Sequence, residues 1–167
     1  FTRASWAIFG VSEVSTRLPG LFGFALMCSC LFWFVSRRTT PLWGAVACLM
    51  PMTTGAFAFS YEARPYGLTM GFASLALLLW QLAADDKWRK LAMAGLWLAL
   101  SLAVSSHYYA VLVFLPIAVG EAVRSIQRRK IDWPLSSAIL LASPIVFLYL
   151  PLVRGGVALQ GVNPWNP

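Results

Sequence analysis

Long apolar runs alternate with short polar segments along this sequence, a pattern typical of a chain that crosses a membrane several times. A bilayer core about 30 Å thick requires an apolar helix of about 20 residues. Six runs approach that length, and each is predicted to form a helix. They lie approximately at residues 18–36, 41–60, 66–84, 91–106, 109–123 and 134–153. Pro51, Pro116 and Pro144 fall inside these runs, where they are predicted to kink or break the helices.

The composition agrees with this interpretation. Hydrophobic residues make up 59% of the 167 residues and charged residues only 11%, whereas soluble domains contain about 25% charged residues. The predicted fold is therefore all-α, a polytopic transmembrane bundle of about six helices. The chain begins with Phe1 and ends in a polar, turn-rich segment after Arg154. We therefore expect residues 1–167 to form one transmembrane fragment of a larger protein, with residues 154–167 starting an outer loop.

Basic residues predict the orientation of the helices. Nine of the thirteen lie in the connections after the first, third and fifth predicted helices, at Arg37, Arg38, Lys87, Arg89, Lys90, Arg124, Arg128, Arg129 and Lys130. Such loops usually remain in the cytoplasm, so these three helices are predicted to begin at the outer face. The net charge of +7 then faces anionic inner-leaflet lipid, and no nucleic-acid partner is required. No metal-ligand spacing is present.

Two polar clusters interrupt the apolar pattern, at residues 60–66 and 105–109. Both are predicted to lie at the outer face, where charged groups at a membrane boundary indicate a functional site. Arg64 precedes Pro65 and the third helix, and Arg17 precedes the first. A helix N-terminus with an adjacent arginine is suited to phosphate. The sequence therefore predicts an anion site whose natural ligand is a lipid phosphate, with His107 on the same face.

Each of these residues also has a structural interpretation. Glu62 and Arg64 stand two residues apart and can neutralise one another, Arg17 can anchor its helix end, and His107 can hydrogen-bond a neighbouring helix. Four tyrosines fit an interfacial aromatic belt: Tyr61, Tyr66, Tyr108 and Tyr109. A multi-pass transporter or lipid flippase subunit without transferase activity, or a non-catalytic membrane subunit, stays open as an alternative function.

Three segments resemble motifs of one enzyme family. The run from Phe59 to Leu68 resembles the S-x-E-A-R-x-Y-x-L signature of bacterial membrane glycosyltransferases of the GT-C superfamily. This superfamily includes protein O-mannosyltransferases and aminoarabinose-to-lipid A transferases. Residues 9–19 resemble the F-G-x-S-E and R-L-P entry to the same module, and residues 106–109 resemble its T-H-Y-F junction. The order of the three matches agrees with the family.

The resemblance implies transfer of a sugar from a polyprenyl-phosphate carrier to a glycan, lipid or protein acceptor, at the periplasmic or exterior side of a bacterial inner membrane. It implies donor contacts from Arg64, Arg17, His107, Tyr108, Tyr61, Tyr66 and Glu62. The catalytic acid of the family lies in the first outer loop, which is expected before Phe1, so the fragment alone is expected to be inactive. Glu13 is the only acid in the surviving part of that loop. No cofactor beyond the lipid-linked donor is implied with certainty, and a divalent metal stays open.

Overall fold

The computed structural model describes residues 2–62, 64–85 and 88–144. All regular structure in these ranges is helical, which confirms the predicted all-α class. The α-helices are α1 (Thr2–Phe9), α2 (Glu13–Ser36), α3 (Pro41–Leu49), α4 (Ala58–Tyr61), α5 (Tyr66–Ala84), α6 (Arg89–Ser106), α7 (Phe114–Arg128) and α8 (Trp133–Ala142). Two 3-10 helices, Met50–Thr53 and Tyr108–Val113, continue α3 and precede α7.

Three helical segments within the described ranges are long and apolar enough to cross a membrane. They are Glu13–Ser36 with 24 residues, Tyr66–Ala84 with 19 and Tyr108–Arg128 with 21. The apolar helices Pro41–Thr53 and Trp133–Ala142 are shorter. The helix predicted over 66–84 therefore has the predicted bounds, whereas its neighbours differ from the sequence-based boundaries.

The single helix predicted over 41–60 is not formed. Helix α3 ends at Leu49, the 3-10 helix Met50–Thr53 contains Pro51, and a turn leads to the four residues of α4. Proline has no backbone N–H and its ring clashes with the preceding helical turn. The break predicted at Pro51 is therefore confirmed, whereas the continuous helix predicted over 41–60 is wrong.

The first long helix begins earlier than predicted, at Glu13, because Ser12 caps it. The Ser12 side chain accepts a hydrogen bond from the Ser15 backbone N–H, and the Ser15 side chain accepts one from the Ser12 N–H. Pro19 is consequently inside α2 and leaves the Ser15 carbonyl without its helical donor. The buried Ser5 hydroxyl of α1 donates to that carbonyl at 2.5 Å, which compensates for the missing bond.

The last two predicted helices also differ in their bounds. The helix predicted over 109–123 begins as the 3-10 helix at Tyr108, becomes α-helical at Phe114 and continues to Arg128. The helix predicted over 134–153 occupies Trp133–Ala142, and its remainder beyond Pro144 lies outside the described residues. The extension of α7 by five residues places Arg124 and Arg128 on a helix instead of in a loop.

Helices α2 and α5 cross at glycines that bring their backbones into direct contact. A Cβ atom added at Gly71 would lie 2.4 Å from the Gly23 carbonyl oxygen, and one at Gly67 would lie 2.5 Å from the Gly20 carbonyl oxygen. Small residues permit such close approach between membrane helices, where dispersion contacts replace the hydrophobic effect as the driving force. This crossing holds the N-terminal ends of both helices beside one another.

The main apolar core lies on the other side of α5, against α6, α7 and α8. Alanines on α5 and α6 allow close packing around larger side chains that are almost completely buried, namely Leu96, Leu100, Ile117 and Leu135. A second cluster, formed by Leu68, Phe72, Ala103, Val104 and Ala110, continues toward the end of α6. Helix α5 therefore contacts α2 through glycine and α6 through alanine and leucine, and it is the central helix of the described bundle.

An ion-pair network joins α6, α7 and α8 at the end that carries most of the arginines, which we call the basic end. Asp132 caps α8 by accepting from the Leu135 N–H, and its carboxylate pairs with Arg89 and, at 2.5 Å, with Arg124. Arg124 also contacts Glu121 at 2.7 Å. Burial alone would raise the pKa of Asp132, but hydrogen bonds from Arg124 and Arg89 outweigh it and lower that pKa to about 2.

Candidate functional site

The two sequence clusters meet at the opposite end of the bundle, which we call the motif end. A cavity of about 260 Å³ lies there between the first turns of α2, the start of α5 and the last residues of α6. Its wall is formed by Thr2, Thr16, Pro19, Gly20, Arg64, Pro65, Leu68, Ser105 and Ser106. Residues from four parts of the sequence therefore surround one space, where the glycine crossing holds α2 against α5.

Arg64 is the charged side chain that lines this cavity. It stands immediately before Pro65, which occupies the cap position of α5 with a φ of −72°. Its side chain is 67% exposed, and its Nε lies 3.7 Å from Glu62 Oε2. This distance permits an ion pair but is too long for a hydrogen bond, and exposed pairs contribute about 0–1 kcal/mol. The guanidinium group is therefore available to an anionic ligand at small cost.

Glu62 carries an acceptor that the surrounding chain leaves unused. Its Oε2 atom is buried, and no hydrogen-bond donor reaches it among the described residues. Buried polar atoms without partners are rare because desolvation costs about 1–3 kcal/mol. The contact with Arg64 thus does not satisfy this carboxylate oxygen, and Glu62 is not among the residues that line the cavity.

Arg17 and Glu13 are placed differently from Arg64. They lie one turn apart on α2 and form an ion pair in which the Arg17 side chain is 43% exposed and Glu13 is 77% exposed. Neither side chain lines the cavity, although Thr16 does. The structure therefore brings these residues to the motif end and pairs them with each other, so the anchoring interpretation of Arg17 has a geometric basis.

His107 organises the junction between α6 and the following 3-10 helix. Its Nδ1 accepts a hydrogen bond from the Tyr109 backbone N–H at 3.3 Å, so the proton of a neutral ring lies on Nε2. The ring is stacked against Tyr108 and Tyr109, with centroid distances of 4.8 and 5.1 Å, and lies 5.1 Å from Tyr66 of α5. The histidine thus connects two candidate segments, and no hydrogen bond from its Nε2 is found to another described residue.

The tyrosines separate into two groups. Tyr66 joins His107 and also contacts Phe59 at 4.9 Å, which makes one aromatic cluster with Tyr108 and Tyr109. Tyr61 belongs elsewhere, because its ring contacts Phe57 at 5.9 Å and it is 47% exposed. Tyr61 therefore lies outside the cluster around Tyr66, which borders the same helix start as Arg64.

Comparison with known proteins identifies the family. The sequence model of the dolichyl-phosphate-mannose-protein mannosyltransferase family matches residues 1–152. The chain belongs to this family. No curated protein and no solved structure is significantly similar to it.

Membership in the dolichyl-phosphate-mannose-protein mannosyltransferase family confirms the resemblance to GT-C glycosyltransferases. Together with the three apolar spans, it establishes an integral membrane protein of a glycosyltransferase family whose donors are lipid-linked sugars. The family match covers both polar clusters and the cavity between them.

Sequence reasoning missed several residues of the site. Thr2 and Thr16 line the cavity, and Phe59 closes one side of the aromatic cluster. Thr16 gave a weak signal, because it lies four residues before Gly20 and so shares its helix face. The sequence around Thr2 contained no signal for the site. Helix α1 was not predicted, because eight residues are too few to identify a helix by periodicity alone.

Proposed function

We propose that this protein transfers a sugar from a polyprenyl-phosphate-linked donor to an acceptor on the extracytoplasmic side of the membrane. The described chain supplies the helices that bind the donor. The observation that carries this proposal is the cavity at the motif end, where Arg64 stands at the start of α5 within a chain of a lipid-dependent glycosyltransferase family.

The location of the cavity suits a lipid phosphate. It lies beside the N-terminal ends of α2 and α5, where backbone N–H groups and the positive end of the helix dipole favour anions. Arg64 adds a planar donor group that matches phosphate geometry. A polyprenyl chain attached to the phosphate would then extend along the apolar surface of the bundle, while the sugar faces the aqueous side.

The remaining candidates have roles on the sugar side of the phosphate. The Nε2 proton of His107 is a donor for a phosphate or sugar oxygen, and Tyr108 and Tyr66 provide an aromatic surface beside it. Glu62 Oε2 is an unused acceptor for a sugar hydroxyl. Arg17 and Tyr61 do not line the cavity, so we assign them contacts with parts of the donor that lie outside it.

The reaction is a displacement at the anomeric carbon. An acceptor oxygen forms a bond to that carbon while the bond to the polyprenyl phosphate breaks, and the leaving phosphate takes the electron pair. Negative charge therefore develops on the bridging oxygen, and fixed donors directed at it stabilise the transition state. The acceptor proton passes to a general base, which the resemblance implies is a carboxylate of the first outer loop of the family.

Substitution of Arg64 tests the assignment. In the complete protein, Arg64→Ala is expected to lower the transfer rate by about a hundredfold, the loss typical of removing one preorganised donor to a developing anion. The measurement is the initial rate of sugar release from a radiolabelled polyprenyl-phosphate donor in proteoliposomes. Arg64→Lys keeps the charge but loses the planar pair of donors, so it is expected to recover only part of the rate.

The matched control is Arg3→Ala. Arg3 is an exposed arginine on α1 at the same end of the bundle, and it does not line the cavity. This control is expected to retain the parental rate. Equal rates for Arg64→Ala and the parent, with comparable amounts of inserted protein, would reject Arg64 as a phosphate ligand.

A further inference from the structure

A second cavity lies at the basic end, far from the motif end along the same helices. Its volume is about 620 Å³, and it is enclosed by the C-terminal parts of α2, α5 and α7. The apolar part of its wall comes from Phe34, Val35, Trp80 and Val123, and the polar part from Arg38, Thr39, Gln81, Arg124 and Gln127. An apolar space that ends in two arginines has the shape of a site for an amphiphile.

Within the part of the chain that the structure describes, two buried polar atoms of residues in this wall have no hydrogen-bond partner. Gln81 is only 3% exposed, and its Nε2 donates to the Phe34 carbonyl at 3.1 Å, which leaves Oε1 without a donor. Arg124 Nη1 is likewise buried without an acceptor, although the rest of that guanidinium contacts Glu121 and Asp132. The wall therefore contains one unpaired acceptor and one unpaired donor. Each unpaired atom lowers the stability of the protein while no ligand is bound.

The charge balance at the rim favours an anion. Arg38 Nη2 contacts Asp85 at 2.6 Å, and Arg37 Nη2 contacts the same carboxylate at 3.0 Å. Two guanidinium groups thus share one carboxylate among the described residues. The C-terminal ends of helices carry partial negative charge, so arginine side chains have to supply the attraction for an anionic group here.

We propose that this cavity binds an anionic phospholipid of the adjacent leaflet, with its phosphate at Arg38 and Arg124 and its acyl chains against the apolar wall. The unused Gln81 acceptor selects a headgroup that donates a hydrogen bond. An ammonium donor would face two arginines and be repelled, whereas a glycerol hydroxyl carries no charge. Phosphatidylglycerol combines the anionic phosphate with that hydroxyl. This site is separate from the cavity proposed for the sugar donor and does not depend on transfer activity.

Native mass spectrometry of the purified full-length protein tests the proposal. The protein is titrated in detergent with phosphatidylglycerol, phosphatidylmethanol or phosphatidylcholine, and the fraction that retains lipid is measured. Phosphatidylmethanol has the same charge as phosphatidylglycerol but no headgroup hydroxyl. The expected order of retention is phosphatidylglycerol, then phosphatidylmethanol, then phosphatidylcholine.

Three variants assign the contacts. Arg38→Gln is expected to weaken phosphatidylglycerol binding about tenfold, which is the size expected for a lost charge-assisted hydrogen bond. Arg37→Gln is the matched control, because it removes the same charge from the same Asp85 pair without lining the cavity. It is expected to weaken binding less than Arg38→Gln does, because it removes the same surplus charge but no direct contact with the phosphate. Gln81→Leu is expected to abolish the preference for phosphatidylglycerol over phosphatidylmethanol while both still bind.

Several outcomes would overturn the proposal. Equal retention of phosphatidylglycerol and phosphatidylcholine would remove the anionic selectivity, and equal losses in Arg37→Gln and Arg38→Gln would indicate general surface attraction. Displacement of the lipid by millimolar inorganic phosphate would identify a free anion as the ligand. Absence of any retained phosphatidylglycerol would show that the cavity does not bind this lipid. None of these results bears on sugar transfer, so this site and the donor site are tested independently.

Discussion

The glycine crossing between α2 and α5 predicts that a single methyl group at Gly71 destabilises the protein. In Gly71→Ala the new Cβ would lie 2.4 Å from the Gly23 carbonyl oxygen and 2.9 Å from the Gly23 Cα. Ordinary contacts begin near 3.4 Å, so the helices must separate by about 1 Å at this point. Both atoms met are backbone atoms, which cannot move without displacing the helix.

The size of the effect follows from two opposing terms. Overpacking costs about 1–3 kcal/mol, and a clash between two backbones belongs at the upper limit. Alanine favours a helix over glycine by about 1 kcal/mol, so the expected net loss is about 2 kcal/mol. For a chain of this size that corresponds to a decrease of about 4–8 °C in unfolding temperature.

Gly95→Ala in α6 is the matched control. Its Cβ would meet the Leu79 side chain at 3.2 Å, and a terminal methyl group can rotate away. We expect this variant to unfold at or slightly above the parental temperature, because the helix-propensity gain is retained. The assay is the temperature at which half of the detergent-solubilised protein leaves the monodisperse peak in size-exclusion chromatography. Unfolding temperatures of the two variants within 1 °C of each other would refute the tight crossing.

Three further predictions concern other contacts. Asp132 has a lowered pKa, near 2, so its stabilising charge is fully present above about pH 4 and is lost as the pH falls toward 2. The unfolding temperature of the parent should therefore decrease between about pH 4 and pH 2. Asp132→Asn should unfold at a lower temperature than the parent at pH 7, and its unfolding temperature should depend less on pH. His107→Ala should weaken donor binding in a titration with the lipid-linked sugar. His107→Asn keeps a side-chain acceptor for the Tyr109 N–H. If the imidazole ring contacts the donor, this variant should bind the donor as weakly as His107→Ala does. If His107 acts only by accepting the Tyr109 N–H, the variant should bind the donor as the parent does. Ser5→Ala should lower the free energy of unfolding by about 1 kcal/mol in the parent. In a Pro19→Ala background it should lower it by almost nothing, because the Ser15 carbonyl then has its helical donor. Equal decreases in both backgrounds would contradict the proposed compensation.

The helix over residues 66–84 could be predicted from sequence because its boundaries have local causes. Pro65 fixes the backbone before its first turn, and a polar turn begins at Asp85. The convergence of Arg64 with the segment before His107 was also accessible, since the number of helices and the basic loops placed both at one face. The cavity between α2, α5 and α6 lies where that convergence predicted a site.

Other features depend on contacts that a hydropathy pattern does not encode. The spacing of Gly67 and Gly71 indicates a helix contact, but it does not reveal that Gly20 and Gly23 form the partner surface. The Arg89 contact with Asp132 joins residues 43 positions apart, and only packing of α6 against α8 creates it. The break at Pro51 was predicted, but the turn and the short helix α4 that follow it were not, because the apolar run continues through them.

The different numbers of arginines at the two ends of the bundle follow from helix direction. Helices α2 and α5 begin at the motif end, and the C-terminal parts of α2, α5 and α7 surround the cavity at the basic end. Each helix contributes roughly half a positive charge at its start and half a negative charge at its end. At the motif end the starts of α2 and α5 favour an anion and the end of α6 opposes it, so on balance the dipoles add to the attraction of Arg64 for the proposed phosphate. At the basic end the negative ends of three helix dipoles oppose an anion. More than one guanidinium group is therefore required to bind a phosphate there. Arg38 and Arg124 both line that cavity, which is the arrangement that this electrostatic difference demands.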